Sequence, residues 1–456
     1  MLIDWRQGQF FSRVAGTDKQ KASTQHVQVR RHSCRRFLAT PVDAAGRTAE
    51  ILALAHPETR ALLGGKDVRA RPLGETMEAS SSPLNFLLCL GSILVLVGLF
   101  LVPAVAPALL RAEHWAADWR TAFLSDRLSS SHARLAIIPV TEDSLAGLPY
   151  ILPINRGYLA DLVSAADQAG ALAIGLDFYF ARATEEPYDG KLAAALRGAK
   201  AKIVLGIFED GSRPQQLAYQ LNFIASSGAD AGYIDLMPEN DHVIRYRARP
   251  RSHAKYQDSF STVLARAAGW SASAPPDRIS WLLPPNDGRS IFAEMPAQQF
   301  LGAQPEQRAA FVKDRVVILG GKLFSLDRHW TPLSLRTGEG MSGVDIHAQM
   351  AAELLDGNRS YAELDRSRAQ MFLGFLAALA IVLGARFQTR GFDFLDWRVA
   401  SFLVIALDLA AFRYFHLMLP FTLAAVAWIA GVTTGTQLRR AVSWSKSRWL
   451  RAPRTP

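Results

Sequence analysis

The sequence predicts an α/β protein in which an extracytoplasmic strand–helix layer domain is combined with four transmembrane α-helices. Between residues 111 and 369, short apolar runs alternate with amphipathic segments, a pattern typical of a layered α/β fold with a largely parallel, mixed sheet. Four apolar stretches approach the roughly 20 residues needed to cross a bilayer. One of them precedes the central region and three follow it, so the chain reads as one domain enclosed by membrane helices.

Charge and cysteine content exclude two classes of protein. The formal net charge of +10 would suit a nucleic-acid-binding protein, but the basic residues lie beside apolar spans, where membrane topology explains them. We therefore predict no nucleic-acid partner. Cys34 and Cys89 both lie outside the central region, so no disulfide framework is predicted there.

Residues 1–83 form a basic N-terminal segment with weak hydrophobic patterning. The cluster Arg30–Arg36 is its densest part, and no phosphate-binding loop, kinase motif or cyclase motif is present. This composition predicts a disordered cytoplasmic tail. An alternative is that translation starts at Met77, directly before the first span.

The first transmembrane helix is assigned to residues 84–110. Leu84–Leu101 contains no charged residue and is the clearest membrane span in the chain. Pro103 and Pro107 lie near its far end, and Arg111 marks the opposite interface.

The central region, residues 111–369, contains the alternating elements of the predicted domain. Strands are predicted at 135–140, 171–176, 203–208, 243–246, 279–283 and 316–319, and helices at 156–169, 191–197, 260–267 and 343–355. The hydrophobic pattern of residues 209–256 is less regular than in the rest of the region, which is compatible with a mixed sheet.

Three further spans are predicted within residues 370–437, followed by a basic cytoplasmic tail at 438–456. The loop at 385–398 carries Arg386 and Arg390, and the tail begins with Arg439 and Arg440. Short loops rich in Lys and Arg stay in the cytoplasm. Both termini are therefore predicted inside and the central domain outside, as in a multi-pass membrane protein.

Candidate ligand-binding residues follow the predicted strands. Asp143, Asp177, Asp327 and His329 each lie at or beyond a strand's carboxyl end, and in a parallel sheet these ends share one edge. Such a set suits a hard cation or a polar ligand, but the same residues also cap helices and fix loops. His347 is interpreted as a satisfied core residue, because it lies on an apolar helix face.

Asp408 lies in the middle of an apolar span. A carboxylate there is costly, about 2.5–3.5 kcal/mol on insertion scales, so it should face another helix. Arg413, Thr433 and Thr434 are its expected partners. Both a transport or coupling role and an interhelical hydrogen bond are consistent with its position, and the second is favoured.

Several segments in order resemble one known family. They are Asp118–Arg120, Val140–Leu145, Leu152–Ala160, Gly170–Phe180, Val316–Gly320 with Asp327 and Thr331–Pro332, and Gly343–Ala348. Together they resemble the second type of CHASE domain, the cyclase/histidine-kinase-associated sensory extracellular domain. The resemblance implies a bacterial receptor with one span before the sensor and three after it. It also adds Arg156, within one of these segments, to the candidate ligand-binding residues.

The predicted function is an extracytoplasmic sensor that signals through its membrane helices to a separate partner. The sequence ends about 20 residues after the last span, so the expected form is a stand-alone sensor without an output domain. We predict no catalytic activity, no cofactor and no resident metal. The expected partners are the bilayer, a small-molecule or envelope ligand, and a second copy or another signalling protein. The alternatives are a membrane scaffold without a ligand and, third, an extracytoplasmic metal-dependent hydrolase.

Overall fold

The centre of the domain is a six-stranded sheet whose strands are apolar on both faces. The computed structural model describes residues 106–451 apart from 210–211, 251–252, 273, 325, 358–360 and 387–392, together with 87 and 90–94. The strands are β1 (Leu135–Val140), β2 (Ala173–Asp177), β3 (Lys202–Ile207), β4 (Asp230–Tyr233), β5 (Ala293–Glu294) and β6 (Val316–Gly321). Their order is β4-β3-β2-β6-β1-β5, and every pairing is parallel. All six residues of β1 are buried, as expected of a strand covered on both sides.

Helices and four short strands surround this sheet. The helices are α1 (Ala106–Leu124), α2 (Glu142–Leu145), α3 (Arg156–Gln168), α4 (Tyr188–Gly198), α5 (Pro214–Ser227), α6 (Phe260–Ala267), α7 (Ala297–Gly302), α8 (Pro305–Val312), α9 (Ser334–Thr337), α10 (Gly343–Asp356), α11 (Arg366–Arg386), α12 (Asp393–Phe415) and α13 (Phe421–Arg451). The short strands pair as β7 (Arg328–His329) with β8 (Met341–Ser342), and as β9 (Ala362–Glu363) with β10 (Leu417–Met418).

Two hydrophobic layers enclose the sheet. One face packs against α3, α4, α5 and α7, and the other against α6 and α10. Gly175 in β2 and Gly232 in β4 allow α6 to lie close to the sheet. A Cβ atom would lie 2.6 Å from the Phe260 ring at Gly175 and 2.6 Å from the Phe260 backbone nitrogen at Gly232. A side chain at either position would push α6 off the sheet.

Helices α11 and α13 pack in parallel over their length. Gly431 lies against Ala377 and Ala380, and Arg439 donates a hydrogen bond to the Ala385 carbonyl. Their C-terminal ends therefore lie at one end of the pair, away from the connectors β9 and β10. Both helices are long and apolar enough to cross a membrane, over Ser367–Ala385 and Phe421–Arg440.

The expectation of four membrane helices is confirmed only in part. Among the described residues, only α11 and α13 pass as candidate spans. The predicted second span after the domain corresponds to α12, a 23-residue helix, and the first span lies almost wholly outside the described residues. The predicted tail at 1–83 also lies outside them. Helix α13 continues to Arg451, into the segment assigned to the C-terminal tail.

The largest departures from the predicted elements occur between residues 209 and 294. The predicted strands 243–246 and 279–283 are extended segments joined by isolated bridges such as Tyr246–Arg278, and they stay outside the sheet. The expected irregularity of 209–256 was wrong in part, because α5 and β4 lie there. No strand of the six-stranded sheet is antiparallel, so the mixed character expected from this region is absent from the described sheet.

Candidate functional site

The carboxyl ends of β2 and β6 meet at a topological switch point of the sheet, which we call the crevice. The chain leaves β2 toward α4 on one face and leaves β6 toward α10 on the other. Where neighbouring parallel strands send their connections to opposite faces, ligands commonly bind between the strand ends. Asp177 pairs in register with Gly320 at this point. A Cβ atom on Gly320 would lie 2.6 Å from Val344, so the glycine lets α10 approach the edge.

Asp177 and His347 form a buried pair at the base of the crevice. The Nε2 atom of His347 lies 3.9 Å from Oδ1 of Asp177, and the two side chains are 2% and 9% exposed. Burial, reinforced by the charge of Asp327, raises the pKa of Asp177 well above its ordinary value. Burial lowers the pKa of His347 to about 4. His347 is therefore neutral at physiological pH, and its Nδ1 atom has no hydrogen-bond partner among the described residues.

Asp327 and His329 lie above this pair, nearer to solvent. The Asp327 carboxylate contacts His329 Nε2 at 2.7 Å and accepts a hydrogen bond of 3.0 Å from the backbone N–H of Gly343. Burial opposes its ionisation, but His329 and the Gly343 N–H more than offset this and lower the pKa of Asp327. Asp327 has φ +55°, a left-handed conformation that turns its carboxylate toward the start of α10. The capping role that the sequence left open for Asp327 is present.

A hard cation was one of the two kinds of ligand that the sequence left open for this edge of the sheet. No group of three or more His, Cys, Asp or Glu side chains in the described ranges is arranged to hold a metal ion. The crevice combines a buried acid and a neutral imidazole with a half-exposed acid–imidazole pair. Of these four side chains, Asp327 and His329 are the more exposed, so they are the ones that could exchange hydrogen bonds with a polar ligand.

Asp143 and Arg156 lie apart from the crevice cluster. Asp143 is exposed in the first turn of α2. Arg156 is buried, with its guanidinium 4.3 Å from the centre of the Phe180 ring and its Nε 3.5 Å from Asp189. It therefore holds α3, α4 and the segment after β2 together. The structure brings together only three of the five predicted residues, Asp177, Asp327 and His329, and adds His347, which the sequence placed in the core.

A second cluster of charges joins α1 to the α/β domain. The Arg245 guanidinium donates two hydrogen bonds to Asp118 on α1, from Nε at 2.7 Å and from Nη2 at 2.6 Å. The same guanidinium also contacts Glu239 and Asp241 at 2.6 and 2.7 Å. Both Arg245 and Asp118 are buried. Bidentate, charge-assisted contacts of this kind hold two elements at a defined distance and angle.

Arg120, two residues further along α1, contacts α12 and the segment directly before α13. Its Nη1 donates to Oδ1 of Asp408 on α12 at 2.5 Å and to the Leu419 carbonyl at 3.1 Å. Asp408 thus faces another helix, as expected. Its partner, however, is Arg120 on α1. The expected partners are engaged elsewhere: Arg413 pairs with Asp126 at 2.9 Å, and Thr434 bonds the Ala430 carbonyl and Ser92. The sequence missed this pair because 288 residues separate its members.

Further contacts hold α1 and the α/β domain to the apolar helices, at a boundary that we call the junction. Glu113 on α1 accepts hydrogen bonds from the backbone N–H groups of Phe421, Thr422 and Leu423, and so caps the start of α13. On the domain side, Tyr246 Oη contacts the Glu363 carboxylate of β9 at 3.0 Å. Tyr361, directly before β9, stacks on Phe412 of α12 with ring centres 4.5 Å apart.

The segment 243–250, which we call the strap, connects the crevice with this junction. The backbone N–H of Ile244 donates to the Trp330 carbonyl at 2.8 Å, directly after His329. The next residue, Arg245, contacts α1. Arg247 binds Glu353 of α10 at 2.7 Å, with both side chains buried. A single extended stretch thus touches the crevice loop, α1, β9 and α10.

The fold and these clusters define a class: a parallel α/β domain bonded through buried ion pairs to apolar helices. Comparison with protein families identifies it. The CHASE2 domain model matches residues 92–385, more than half of the chain, and the protein belongs to the CHASE2 domain family. The match confirms the resemblance read from the motifs, and the family is one of extracellular sensory domains. The curated proteins give no match, and the solved structures give none.

Proposed function

We propose that this protein is a receptor of the bacterial inner membrane that binds a ligand with its outer domain and signals through its membrane helices. The observation that carries the proposal is the placement of Asp118 and Arg120. Two residues apart on a helix, they are separated by about 200° around the axis, so they face opposite sides. One is locked to the α/β domain and the other to Asp408 of α12.

This arrangement supports mechanical coupling. A ligand shifts the protein between two arrangements only to the extent that it binds them with different affinity. Rotation or displacement of the strap by a bound ligand moves Arg245, and the bidentate contact with Asp118 transfers that motion to α1. Arg120 and the Glu113 cap then carry it to α12 and α13.

Crosslinking across the junction tests the proposal. Asp126→Cys and Arg413→Cys replace an ion pair whose charged atoms lie 2.9 Å apart, and bifunctional thiol reagents of graded length report their separation in membranes. We expect compounds that raise the melting temperature of the chain to change the crosslinking yield. Asp118→Asn should abolish the change, while Asp161→Asn, at an exposed pair with Lys191, should preserve it. Unchanged yields with every binding compound would favour a tether or scaffold.

We further propose that the signal passes to a second copy or to another membrane or cytoplasmic protein. Crosslinking in native membranes should capture one of the two. Recovery of the chain as a monomer under all conditions would contradict this step. The absence of catalytic activity also stays a prediction, and Asp177→Ala is the variant against which any activity on phosphoesters or peptides should be compared.

A further inference from the structure

An open pocket of about 470 Å³ lies at the junction, between the end of α1, the α/β domain and α12. It is lined by Phe123, Leu124, Ser125, Asp126, Arg127, Leu283 and Arg413. Backbone contacts fix its shape, because the Leu283 N–H donates to the Asp126 carbonyl at 2.8 Å and the Leu128 N–H donates to the Leu283 carbonyl at 3.1 Å. The volume is within the range of sites for small molecules.

The net charge of the lining is positive. Arg413 pairs with Asp126 at 2.9 Å, and His416 lies 3.8 Å from the second oxygen of the same carboxylate. Arg127 donates to the Pro284 carbonyl at 2.6 Å and has no acidic partner among the described residues. The end of α1 contributes about half a negative charge, which reduces the excess charge of Arg127 without cancelling it. The pocket therefore favours an anion.

The lining also holds hydrogen-bond donors that the protein leaves unused. Arg127 and Arg413 each donate through Nη1, and their other N–H groups have no partner in the part of the chain that the structure describes. Ser125 is 5% exposed, and its Oγ atom has no hydrogen-bond partner there either. Planar guanidinium groups with adjacent N–H donors match the oxygens of a phosphate. The donors of the pocket therefore suit a phosphate group.

An exposed aromatic stripe on α1 leads to this pocket. Trp115, Trp119 and Phe123 are spaced four apart on one face of the helix, and they are 61%, 42% and 45% exposed. The rings of Trp119 and Phe123 lie 5.2 Å apart, and Phe123 forms part of the pocket wall. Tyr414 and Phe415 are exposed at the end of α12. Trp and Tyr are enriched where proteins meet the interface of a bilayer with water.

The pocket lies at the end of the apolar helices at which α13 begins. Glu113 of α1 caps α13 at Phe421, the first residue of its candidate span, and residues 416–420 join this start to the end of α12. The aromatic stripe faces away from the domain and from α12, because Asp118 and Arg120 occupy those sides of α1. When α13 spans a bilayer, the stripe and the pocket lie at the bilayer surface.

We propose that this pocket binds the phosphate of an anionic glycerophospholipid from the outer leaflet. The phosphate would accept hydrogen bonds from Arg127, Arg413 and Ser125, and the glycerol and acyl chains would lie along Phe123 and Trp119. The assignment rests on the proposed receptor function, which places the apolar helices in the membrane. It adds a regulator to that function, because a phosphate held by Arg127 and Arg413 joins the α/β domain to α12 and strengthens the junction.

Native mass spectrometry of the full chain in detergent, with one lipid added at a time, tests the assignment. The lipids are dioleoyl phosphatidylglycerol, dioleoyl phosphatidylcholine and dioleoylglycerol, which share acyl chains and carry an anionic, a zwitterionic and no phosphate group. Phosphatidylglycerol should bind at least fivefold more tightly than phosphatidylcholine, and dioleoylglycerol should bind most weakly. Equal binding of the two phospholipids overturns the assignment.

Glycerol 3-phosphate distinguishes a lipid from a soluble anion, because it carries a phosphate without acyl chains. At a concentration equal to that of phosphatidylglycerol, it should leave the bound lipid in place. Displacement of the lipid under this condition would assign the pocket to a soluble phosphate compound and overturn the lipid assignment.

Variants locate the binding. Arg127→Gln should weaken phosphatidylglycerol binding at least fivefold and remove the preference over phosphatidylcholine, while Arg127→Lys, which keeps the charge, should recover part of it. Trp119→Ala should weaken the binding of both phospholipids. Arg249→Gln is the control, because the Arg249 side chain is 79% exposed and pairs with Asp277 away from the pocket.

Two outcomes with these variants would contradict the assignment. One is an Arg127→Gln variant that binds phosphatidylglycerol as tightly as wild type. The other is a Trp119→Ala variant that keeps the lipid but loses dimers in the same spectra, since the stripe would then belong to a contact with a second copy.

The crosslinking experiment on Asp126→Cys and Arg413→Cys is independent of this one, so the two proposals can fail separately. A lipid preference that Arg127→Gln removes, with crosslinking unchanged by every binding compound, would retain the lipid site and reject the signalling role. Crosslinking that responds to a compound, with no preference among the lipids, would retain the receptor function and reject the lipid site.

Discussion

Arg120 and Asp408 show how strongly single buried charges depend on their partners. The side chains are 3% and 6% exposed, so either charge left alone would be neither solvated nor paired. The same logic applies to Asp118 and Arg245 on the opposite side of α1.

We expect Arg120→Gln to destabilise the chain by about 3–5 kcal/mol, because it leaves the Asp408 carboxylate buried without its partner. Adding Asp408→Asn removes the isolated charge and should recover part of the loss. Thermal melting in detergent measures both effects. Arg413→Gln, at a half-exposed pair, is the control and should cost less than about 1 kcal/mol. A double variant as unstable as Arg120→Gln alone would contradict the pairing.

The lowered pKa of His347 predicts that the stability of the folded chain falls as the pH is lowered. Its pKa falls from 6.5 to about 4 on folding, so between these values the unfolded chain binds a proton that the folded chain excludes. The stability due to neutral His347 is complete above pH 6.5 and is lost as the pH falls toward 4. Between pH 7.5 and pH 5 the loss should be about 2 kcal/mol.

The comparison of wild type with His347→Gln isolates this contribution. Asp177, whose raised pKa acts in the opposite direction, is present in both proteins. Melting curves at pH 7.5 and pH 5 should show a smaller pH effect for His347→Gln, whereas His253→Gln on the exposed surface should behave as wild type. Equal pH effects in all three proteins would show that His347 titrates normally in the fold.

Among the elements, α11 and α13 depend on glycine at their contact. A Cβ atom on Gly431 would lie 2.8 Å from the Ala377 carbonyl, and one on Gly435 would collide with the Ile381 carbonyl. Small residues spaced four apart let helix backbones approach in a membrane. The apolar composition alone predicts that α11 and α13 are spans, but only this contact explains why the two helices pair.

Gly435→Val should separate α11 from α13 and cost about 1–3 kcal/mol, as overpacking does in a close contact. Ile429→Val on the same helix is the control, because Ile429 is 55% exposed. Helical circular dichroism during thermal melting in detergent measures the difference. A Gly435→Val variant that melts with the control would mean that the helices tolerate a wider spacing.

On the scale of the whole molecule, the parallel packing of α11 and α13 sets an expected topology. Their basic C-terminal ends lie together, away from the connectors to the α/β domain. Basic flanks favour the cytoplasm, which leaves the domain outside.

Alkaline phosphatase fusions check this topology, since the enzyme is active only outside the cytoplasm. A fusion inserted between residues 209 and 213, before α5, should be active and one at Pro456 inactive. The reverse pattern would place the α/β domain in the cytoplasm and remove the basis for an extracytoplasmic ligand.

Local pattern predicted much of this fold and part of the candidate site. Runs such as Leu135–Val140 and Val316–Leu319 identify buried parallel strands, because a strand covered on both faces must be apolar throughout. The amphipathic spacing in α3 identifies its buried face. The strand ends then place Asp177, Asp327 and His329 at one edge without further information.

Tertiary packing alone decided the remaining features. The Asp118–Arg245 and Arg120–Asp408 pairs join residues 127 and 288 positions apart, and no local period relates them. His347 looks like an ordinary core residue until α10 is packed against β6, which places His347 next to Asp177 at the end of β2. Hydrophobic periodicity acts over a few residues and therefore determined the elements and the spans, whereas the pairing of buried charges depends on which elements meet in space.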